Sequence, residues 1–301
     1  MTTRDTQWLH QVAGLHLGAR AARLRIPEAD ILRQERTVLA ALDLLETQPG
    51  IFLADEVGMG KTFEALGLVA ARRALYPGGR AVIVTPGPEL NRKWTDELRK
   101  FSEDSPPIWQ HRVRSERADD LGQLIRLLRP SGEPATTPAV DIVLAPITAF
   151  LGAKSNDERS SLLSAYFQLA KLHHVTQDAL FDCIPKGSIS RKSPEQVSLF
   201  QLSYRQLVDT WGTDLKYAFG IGIDDQAAKG TLHALVRQWD TRTNSGWRAL
   251  KEQFVSWDRV REAIDLARFR LAHALLGDID LLVVDEAHKL KNPETVRFRA
   301  M

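Results

Sequence analysis

The sequence predicts an α/β protein with a parallel central sheet, and three observations lead to this fold class. Short, wholly apolar runs alternate with segments of helical spacing, which is the pattern of βαβ units. One apolar run leads into a glycine-rich loop and a helix, and another ends in a pair of acidic residues. Because 44% of the 301 residues are hydrophobic, the chain has enough apolar side chains for a sizeable core.

Four apolar runs are predicted to form the strands of this sheet. Each is short and ends in turn residues, as expected of strands that are buried on both faces of a parallel sheet. They comprise residues 51–54, 81–84, 142–144 and 281–284.

Three helices are predicted beside these strands. The first begins at about Lys61, continues to Leu75 and is stopped by the turn at residues 77–79. Apolar residues at helical spacing mark the second helix, at Leu90, Trp94, Leu98 and Phe101. The same spacing marks the third, at Val260, Ile264, Ala267, Leu271 and Leu275. We interpret Trp94 as a core residue because of this spacing, with base stacking as the alternative.

The stretch between about residues 153 and 257 has a different pattern. Strand-like runs are missing there, and helix-like segments near 158–174, 193–211, 227–239 and 246–257 replace them. We interpret it as a helical insertion, although its helices could instead belong to the core lobe. The predicted organisation is an N-terminal helical extension (1–30), two parts of one α/β lobe (31–152 and 258–301) and the insertion (153–257).

Composition places few limits on partners. The net charge is only +2, so bulk electrostatics gives no independent indication of nucleic acid. The single cysteine, Cys183, excludes an internal disulfide and suits a reducing compartment. No apolar run approaches the length of a membrane span. We therefore predict a cytoplasmic protein without a membrane partner.

A phosphate-binding loop is predicted between the first strand and the helix that begins at Lys61. Gly58 and Gly60 let the backbone turn its N–H groups toward phosphates, because no Cβ blocks the approach. The helix N-terminus adds partial positive charge, Lys61 would contact the β and γ phosphates of ATP, and the Thr62 hydroxyl would bind Mg²⁺. The loop residues assigned to the nucleotide are Asp55, Glu56, Val57, Gly58, Met59, Gly60, Lys61 and Thr62.

An acidic box, Asp-Glu-Ala-His at 285–288, follows the last predicted strand. A P-loop ATPase needs an acid at this place to hold Mg²⁺ beside the phosphates. Asp285 would hold the metal, directly or through water, and Glu286 would orient and polarise the attacking water. Glu286 and Lys61 are therefore the predicted catalytic residues.

With both motifs present, the chain resembles the superfamily 2 helicase-like ATPases. The segment Ala-Asp-Glu-Val-Gly-Met-Gly-Lys-Thr at 54–62 resembles their Swi/Snf-type, DEAH-box branch, in which an acidic residue at the position of Asp55 is usual. Three further segments are similar to family motifs. Gln34 resembles the upstream glutamine motif, residues 82–86 with Trp94 and Glu97 resemble motif Ia, and residues 141–150 resemble motif Ib. The resemblance covers about residues 30–150 and 260–292.

The resemblance implies the N-terminal RecA-like lobe of such a motor, with a helical insertion. Gln34 would read the adenine edge of ATP, and His288 would couple the nucleotide to the rest of the motor. Thr85, Pro86 and Thr148 would contact the nucleic-acid backbone, which positions a strand without reading its sequence. The alternative for these three residues is a set of ordinary strand-end loops.

The function implied is that of a hydrolase lobe, in which ATP hydrolysis drives movement on double-stranded DNA. One alternative is a strand-separating helicase or restriction-type translocase of the same superfamily, and another is an ATP-dependent interaction module with little turnover. Motors of this family need a second RecA-like lobe, whose motifs follow the acidic box. We expect that lobe to be supplied in cis or in trans, and this chain alone to bind ATP but hydrolyse it slowly.

Overall fold

The computed structural model describes residues 5–11, 26–54, 58, 60–103, 113–128, 140–151, 156–169, 199–200, 202–222, 257–276 and 279–290. The helices, in chain order, are α1 (Thr6–Gln11), α2 (Glu28–Leu44), α3 (Lys61–Leu75), α4 (Pro88–Glu103), α5 (Leu121–Leu128), α6 (Ile147–Leu151), α7 (Asn156–Leu169), α8 (Tyr204–Gly222) and α9 (Trp257–Leu275). A 3₁₀ helix, Ala287–Leu290, follows the last strand. Within these residues, no helix combines the length and the apolarity that crossing a bilayer requires.

Four parallel strands form one sheet. They are β1 (Ala81–Thr85), β2 (Ser115–Arg117), β3 (Ile142–Pro146) and β4 (Leu281–Val284), and their order across the sheet is β2-β3-β1-β4. Ala81 pairs with Ile142 on one side and with Leu281 on the other. The predicted α/β class and parallel sheet are therefore confirmed, as are the strands at 81–84, 142–144 and 281–284. The arrangement is compatible with a RecA-like lobe.

The elements belong to two compact units. The sheet unit contains β1–β4, α1–α4, α6 up to Phe150 and the 3₁₀ helix. The helical unit contains α5, α7, α8 and α9. It therefore takes in the described part of the predicted insertion together with α9, which the sequence analysis assigns to the α/β lobe.

The core of the sheet unit is apolar and lies around the central strands. All residues of β1 and β3 are buried, which explains the apolar runs at 81–84 and 142–144 in the sequence. Helices α3 and α4 match the predicted ones, and the spacing of Trp94, Leu98 and Phe101 places all three in the core. Burying side chains of this size stabilises each by about 1.5–3 kcal/mol relative to leaving it exposed.

The predicted first strand, residues 51–54, does not form. These residues carry no strand pairing, and Phe52 is 88% exposed. An apolar run can become a strand only where a neighbouring strand offers a free edge, because its N–H and C=O groups need partners. Both edges of β1 are used by β3 and β4, and residues 51–54 do not pair with the outer edge of β4, the last strand in the order β2-β3-β1-β4. Such pairing depends on distant residues, so the composition of four residues does not determine it.

Strand β2 was not predicted from the sequence. Its three residues, Ser115, Glu116 and Arg117, are polar and lie at the edge of the sheet beside β3. An edge strand is paired on one side only and can stay hydrated, so it needs no apolar run. Periodicity therefore carries no signal for it.

The helical unit differs in part from the predicted helices. α7 lies within the predicted 158–174 segment apart from its first two residues. In the predicted helix at 193–211, Leu199 and Leu202 instead form an antiparallel bridge. α8 begins only after Ser203, whose hydroxyl accepts from the backbone N–H of Gln206 while the Gln206 side chain accepts from the backbone N–H of Ser203. This reciprocal capping box starts the helix. The helix start predicted at 193–196 and the segments at 227–239 and 246–256 lie outside the described residues.

Candidate functional site

The turn into α3 contains two glycines with positive φ, Gly58 and Gly60. Gly60 adopts φ 90° and ψ 21°, a left-handed conformation that favours glycine, and its carbonyl accepts from the N–H groups of Phe63 and Glu64 at 2.8 and 3.1 Å. No side chain caps this N-terminus among the residues described. Lys61 and Thr62 form the first turn of the 15-residue helix, where N–H groups and the helix dipole favour an anion.

Gln34 packs directly on this turn. It lies on α2, is 9% exposed, and its side-chain amide stands where a Cβ on Gly60 would be, so that any larger residue at 60 would collide with it. Gly58 shares the φ of 90°, yet a Cβ there would meet nothing within 4 Å among the described residues. Within this part of the chain, Gly58 therefore matters for its backbone conformation, and Gly60 for both conformation and space. The structure brings Gln34 and Gly60 together.

Two polar contacts hold α2 in this position. Arg33 Nη1 donates to Glu64 Oε1 of α3 at 2.9 Å, and Glu64 is 1% exposed. Glu35 is similarly buried, and its Oε1 is hydrogen-bonded to His10 Nε2 of α1 at 2.5 Å. The residues on both sides of Gln34 thus attach α2 to α3 and to α1. Neither contact was predicted, because nothing local in the sequence relates residues so far apart in the chain.

The direction of α3 points its first turn toward the strand ends that carry the acidic box. At the other end of α3, Arg73 donates to the carbonyl of Gly79 at 2.7 Å and pairs with Asp141 at 2.9 Å. Gly79 and Asp141 precede β1 and β3, so this end of the helix lies at the amino ends of the strands. α3 also contacts β4. Lys61, at the opposite end of α3, therefore lies toward the carboxyl ends, where parallel sheets place their sites.

Asp285 is fixed at two points directly after β4. Its backbone N–H donates to Val84 O at 2.8 Å, which extends the β1–β4 pairing by one residue. Its Oδ2 accepts from Trp94 Nε1 at 2.8 Å. Trp94 is a core residue as predicted, but it also contacts the predicted metal ligand. Only the general need of a buried indole N–H for an acceptor could have indicated this contact in advance.

Glu286 occupies a strained backbone position in the same turn. Its φ is 55°, and a non-glycine residue in this left-handed region has a conformational free energy about 1–2 kcal/mol less favourable. The carboxylate is 46% exposed, and its Oε2 lies 3.1 Å from Nδ1 of His288. Strain of this kind persists where surrounding structure enforces it and is often found at functional sites. The turn sends the Asp285 side chain inward to Trp94 and leaves that of Glu286 open to solvent.

The three candidates for nucleic-acid contact differ in exposure. Thr85, the last residue of β1, is fully buried, and its hydroxyl donates to the carbonyl of Gly87 at 3.2 Å. Pro86 is half-buried in the turn that follows, and Thr148 is exposed on α6 after β3. Pro86 and Thr148 therefore have surface that a partner could contact. Thr85 has none, and its hydrogen bond stabilises the turn.

The remaining loop residues predicted to hold the nucleotide are Asp55, Glu56, Val57 and Met59, and they lie outside the described residues. The described part of the site fits Mg²⁺ and a nucleotide by its chemistry. Thr62 and Asp285 offer the oxygen ligands that Mg²⁺ prefers, and Lys61 offers a cation at a helix N-terminus.

Comparison of the chain with protein-family models, with curated proteins and with solved structures found no match in any of the three.

Proposed function

We propose that this chain is the ATP-binding lobe of a DNA-dependent ATPase that couples hydrolysis to movement on double-stranded DNA. The observation that carries the proposal is the packing of Gln34 against Gly60 at the N-terminus of α3. The segment that the resemblance assigns to the base and the segment that the glycine loop assigns to the phosphates are adjacent in space. The Swi/Snf-type resemblance supplies the DNA-dependent part of the proposal, together with a second RecA-like lobe in cis or in trans.

In this proposal each residue has one task. Lys61 and the N–H groups at the start of α3 bind the β and γ phosphates, and Gln34 contacts the adenine. Bound Mg²⁺, held through Thr62 and Asp285, neutralises part of the phosphate charge. Glu286 orients and polarises the attacking water, which its exposed carboxylate can reach. His288 lies beside Glu286 and couples that carboxylate to the motor.

The phosphate contact is tested by calorimetric titration of Mg·ATP into the purified chain. Lys61→Ala is expected to weaken binding about tenfold or more, since a charge-assisted contact contributes roughly 1.5–3 kcal/mol. Lys100→Ala is the matched control, because Lys100 is exposed on α4 and pairs with Glu97 of the same helix. Equal affinity in both variants, with folding intact, would remove the phosphate loop from the proposal.

The base contact is tested by comparing ATP with GTP. Gln34→Ala is expected to reduce the preference for ATP, because the amide that reads the adenine edge is lost. The same ATP-to-GTP ratio before and after the change would exclude Gln34 from the base end of the site.

Hydrolysis is tested in an assembly that includes a second lobe. Glu286→Gln keeps the size of the side chain but removes the carboxylate, so turnover should fall about a hundredfold while ATP stays bound. Residual turnover within about threefold of the parent would mean that another residue activates water.

Stimulation by DNA separates the proposal from its alternatives. Turnover that rises with double-stranded but not single-stranded DNA supports the translocase. Stimulation by single strands favours a strand-separating helicase. Absence of stimulation by either, with ATP still bound, favours an interaction module that responds to the nucleotide by a change of shape.

A further inference from the structure

The contact between Trp94 and Asp285 joins two parts of the chain that the proposed function treats separately. Trp94 lies in the middle of α4, is 5% exposed, and belongs to the apolar core of the sheet unit. Asp285 lies 191 residues later, at the end of β4, and accepts the indole N–H at 2.8 Å. The indole nitrogen is a donor only, so the carboxylate is the acceptor without ambiguity of tautomer or rotamer.

The contact occupies one oxygen of the carboxylate. Oδ2 accepts from the indole, while Oδ1 has no hydrogen-bond donor among the described residues and can accept from, or coordinate, another group. The backbone of Asp285 is already held by its bond to Val84. With one oxygen and the backbone both fixed, the remaining freedom of the side chain is small, and Oδ1 is presented in one direction.

The rigidity of this arrangement comes from the donor. α4 turns Trp94, Leu98 and Phe101 into the core, so the indole ring cannot rotate away without disturbing packed neighbours. An ionised carboxylate strengthens the hydrogen bond further. Asp285 is partly exposed, so water alone could supply hydrogen bonds to its carboxylate. The effect of the indole contact is therefore to fix the direction of the Asp285 side chain.

We infer that Trp94 is a positioning residue for the metal site: its indole N–H holds Oδ2 of Asp285 so that Oδ1 faces Mg²⁺. This inference rests on the proposed function and adds a residue to it. Hydrogen-bond partners of metal ligands typically contribute 10–100-fold to metal affinity. Trp94 itself touches neither nucleotide nor metal.

The test measures how much Mg²⁺ strengthens nucleotide binding. ATP is titrated calorimetrically into the chain once with excess MgCl₂ and once with EDTA, and the ratio of the two dissociation constants is the readout. Trp94→Phe keeps the ring but removes the donor, so it should reduce this ratio about tenfold. ATP affinity in EDTA should stay within about twofold, because Trp94 makes no contact with the nucleotide in this assignment.

Two controls separate positioning from stability. Trp211→Phe makes the same chemical change at another buried tryptophan, in the helical unit, and should leave the ratio unchanged. Leu98→Ala weakens the same face of α4 without removing a donor, and should lower the melting temperature but not the ratio.

In an Asp285→Asn background, Trp94→Phe should have no further effect on the ratio if the tryptophan acts through Asp285.

A second measurement does not depend on folding of the Trp94 variant. The chain has 7 tryptophans, so a ¹H–¹⁵N spectrum resolves their indole N–H signals. One signal should move upfield in Asp285→Ala, and the same signal should respond when Mg²⁺ is added to the ATP-bound chain. If no indole signal responds to Asp285→Ala, the hydrogen bond does not exist in solution and the inference is wrong.

The outcomes distinguish the two proposals. A parent chain without Mg²⁺-strengthened ATP binding contradicts the proposed function, and the inference is lost with it. A parent chain that does show this strengthening, with an unchanged ratio in Trp94→Phe, leaves the proposed function intact and overturns the inference alone.

Discussion

The acidic box of the sheet unit and the paired charges of the helical unit lie in opposite environments. The acidic box follows a strand end of the sheet unit, where Glu286 is 46% exposed. In the helical unit, charges lie between packed helices. Arg159 of α7 forms a bidentate ion pair with Asp265 of α9, with N–O distances of 3.0 and 2.7 Å. Arg268 of α9 forms an ion pair with Glu158 of α7 at 2.8 Å.

The comparison indicates what each set of charges does. The two ion pairs of the helical unit are reciprocal, since each helix supplies one acid and one arginine, and both arginines are less than 10% exposed. Such pairs add little net stability because desolvation offsets their attraction, but breaking one leaves a buried charge without compensation. They therefore set the alignment of α7 on α9. In the sheet unit, Glu35 and Glu64 are buried in pairs of the same kind, whereas Glu286 of the acidic box remains near solvent, where a ligand could reach it.

The largest expected effect comes from breaking one of these pairs. Asp265→Ala should lower the free energy of unfolding of the helical unit by about 3 kcal/mol, because Arg159 stays buried. Urea denaturation gives the magnitude, and hydrogen exchange resolved by peptide shows which unit loses protection. Glu103→Ala is the control, since its pair with Arg99 is exposed on α4 and should contribute at most about 1 kcal/mol. Similar losses in both variants would remove the contrast between the units.

Replacing the pair by apolar residues sharpens the same contrast. The double variant Arg159→Met/Asp265→Leu should recover the stability lost in Asp265→Ala, to within about 1 kcal/mol of the parent or above it, because no charge then remains to be desolvated at this position. The measurement is again urea denaturation. A double variant as unstable as Asp265→Ala would mean that the two-pronged geometry itself is required for α7 to pack on α9.

In the sheet unit the corresponding test concerns space and not charge. Gly58→Ala and Gly60→Ala each place a side chain at φ 90°, which costs about 1–2 kcal/mol. Only the change at Gly60 also displaces Gln34. Gly60→Ala should therefore weaken ATP binding several-fold more than Gly58→Ala, as measured by calorimetry. Equal effects would show that the contact with Gln34 is incidental.

The smallest expected effect is a pH dependence in the helical unit. Burial raises the pKa of Glu158 above its ordinary value of 4.5, although Arg268 opposes the shift. As pH falls from neutral through the raised folded-state pKa, the folded protein binds a proton before the unfolded chain does, so unfolding becomes less favourable. The stability of the parent relative to Glu158→Gln should therefore rise as pH falls toward 4.5 and level off below it. Parallel pH profiles would contradict this assignment.

The sequence predicted well where the signal was local and failed where it was not. Strands 81–84, 142–144 and 281–284 follow from short apolar runs, and the buried faces of α4 and α9 follow from apolar periodicity; a short window contains both signals. The run at 51–54 is also wholly apolar, yet nothing within four residues indicates whether it will pair with a neighbouring strand. The bridge between Leu199 and Leu202 interrupts a helical pattern for a similar reason.

The candidate site divides in the same way. The glycine loop, Lys61, Thr62 and the acidic box are contiguous motifs, so the sequence alone determined their chemistry and their order along the chain. Only the tertiary structure decided that Gln34 packs on Gly60 and that Trp94 donates to Asp285. The same is true of the ion pairs between α7 and α9. A hydrogen bond between residues 94 and 285 depends on the register of β1 beside β4 and on the face that α4 buries. Pairing and packing fix distances between remote residues, whereas propensity and periodicity describe each segment only by itself.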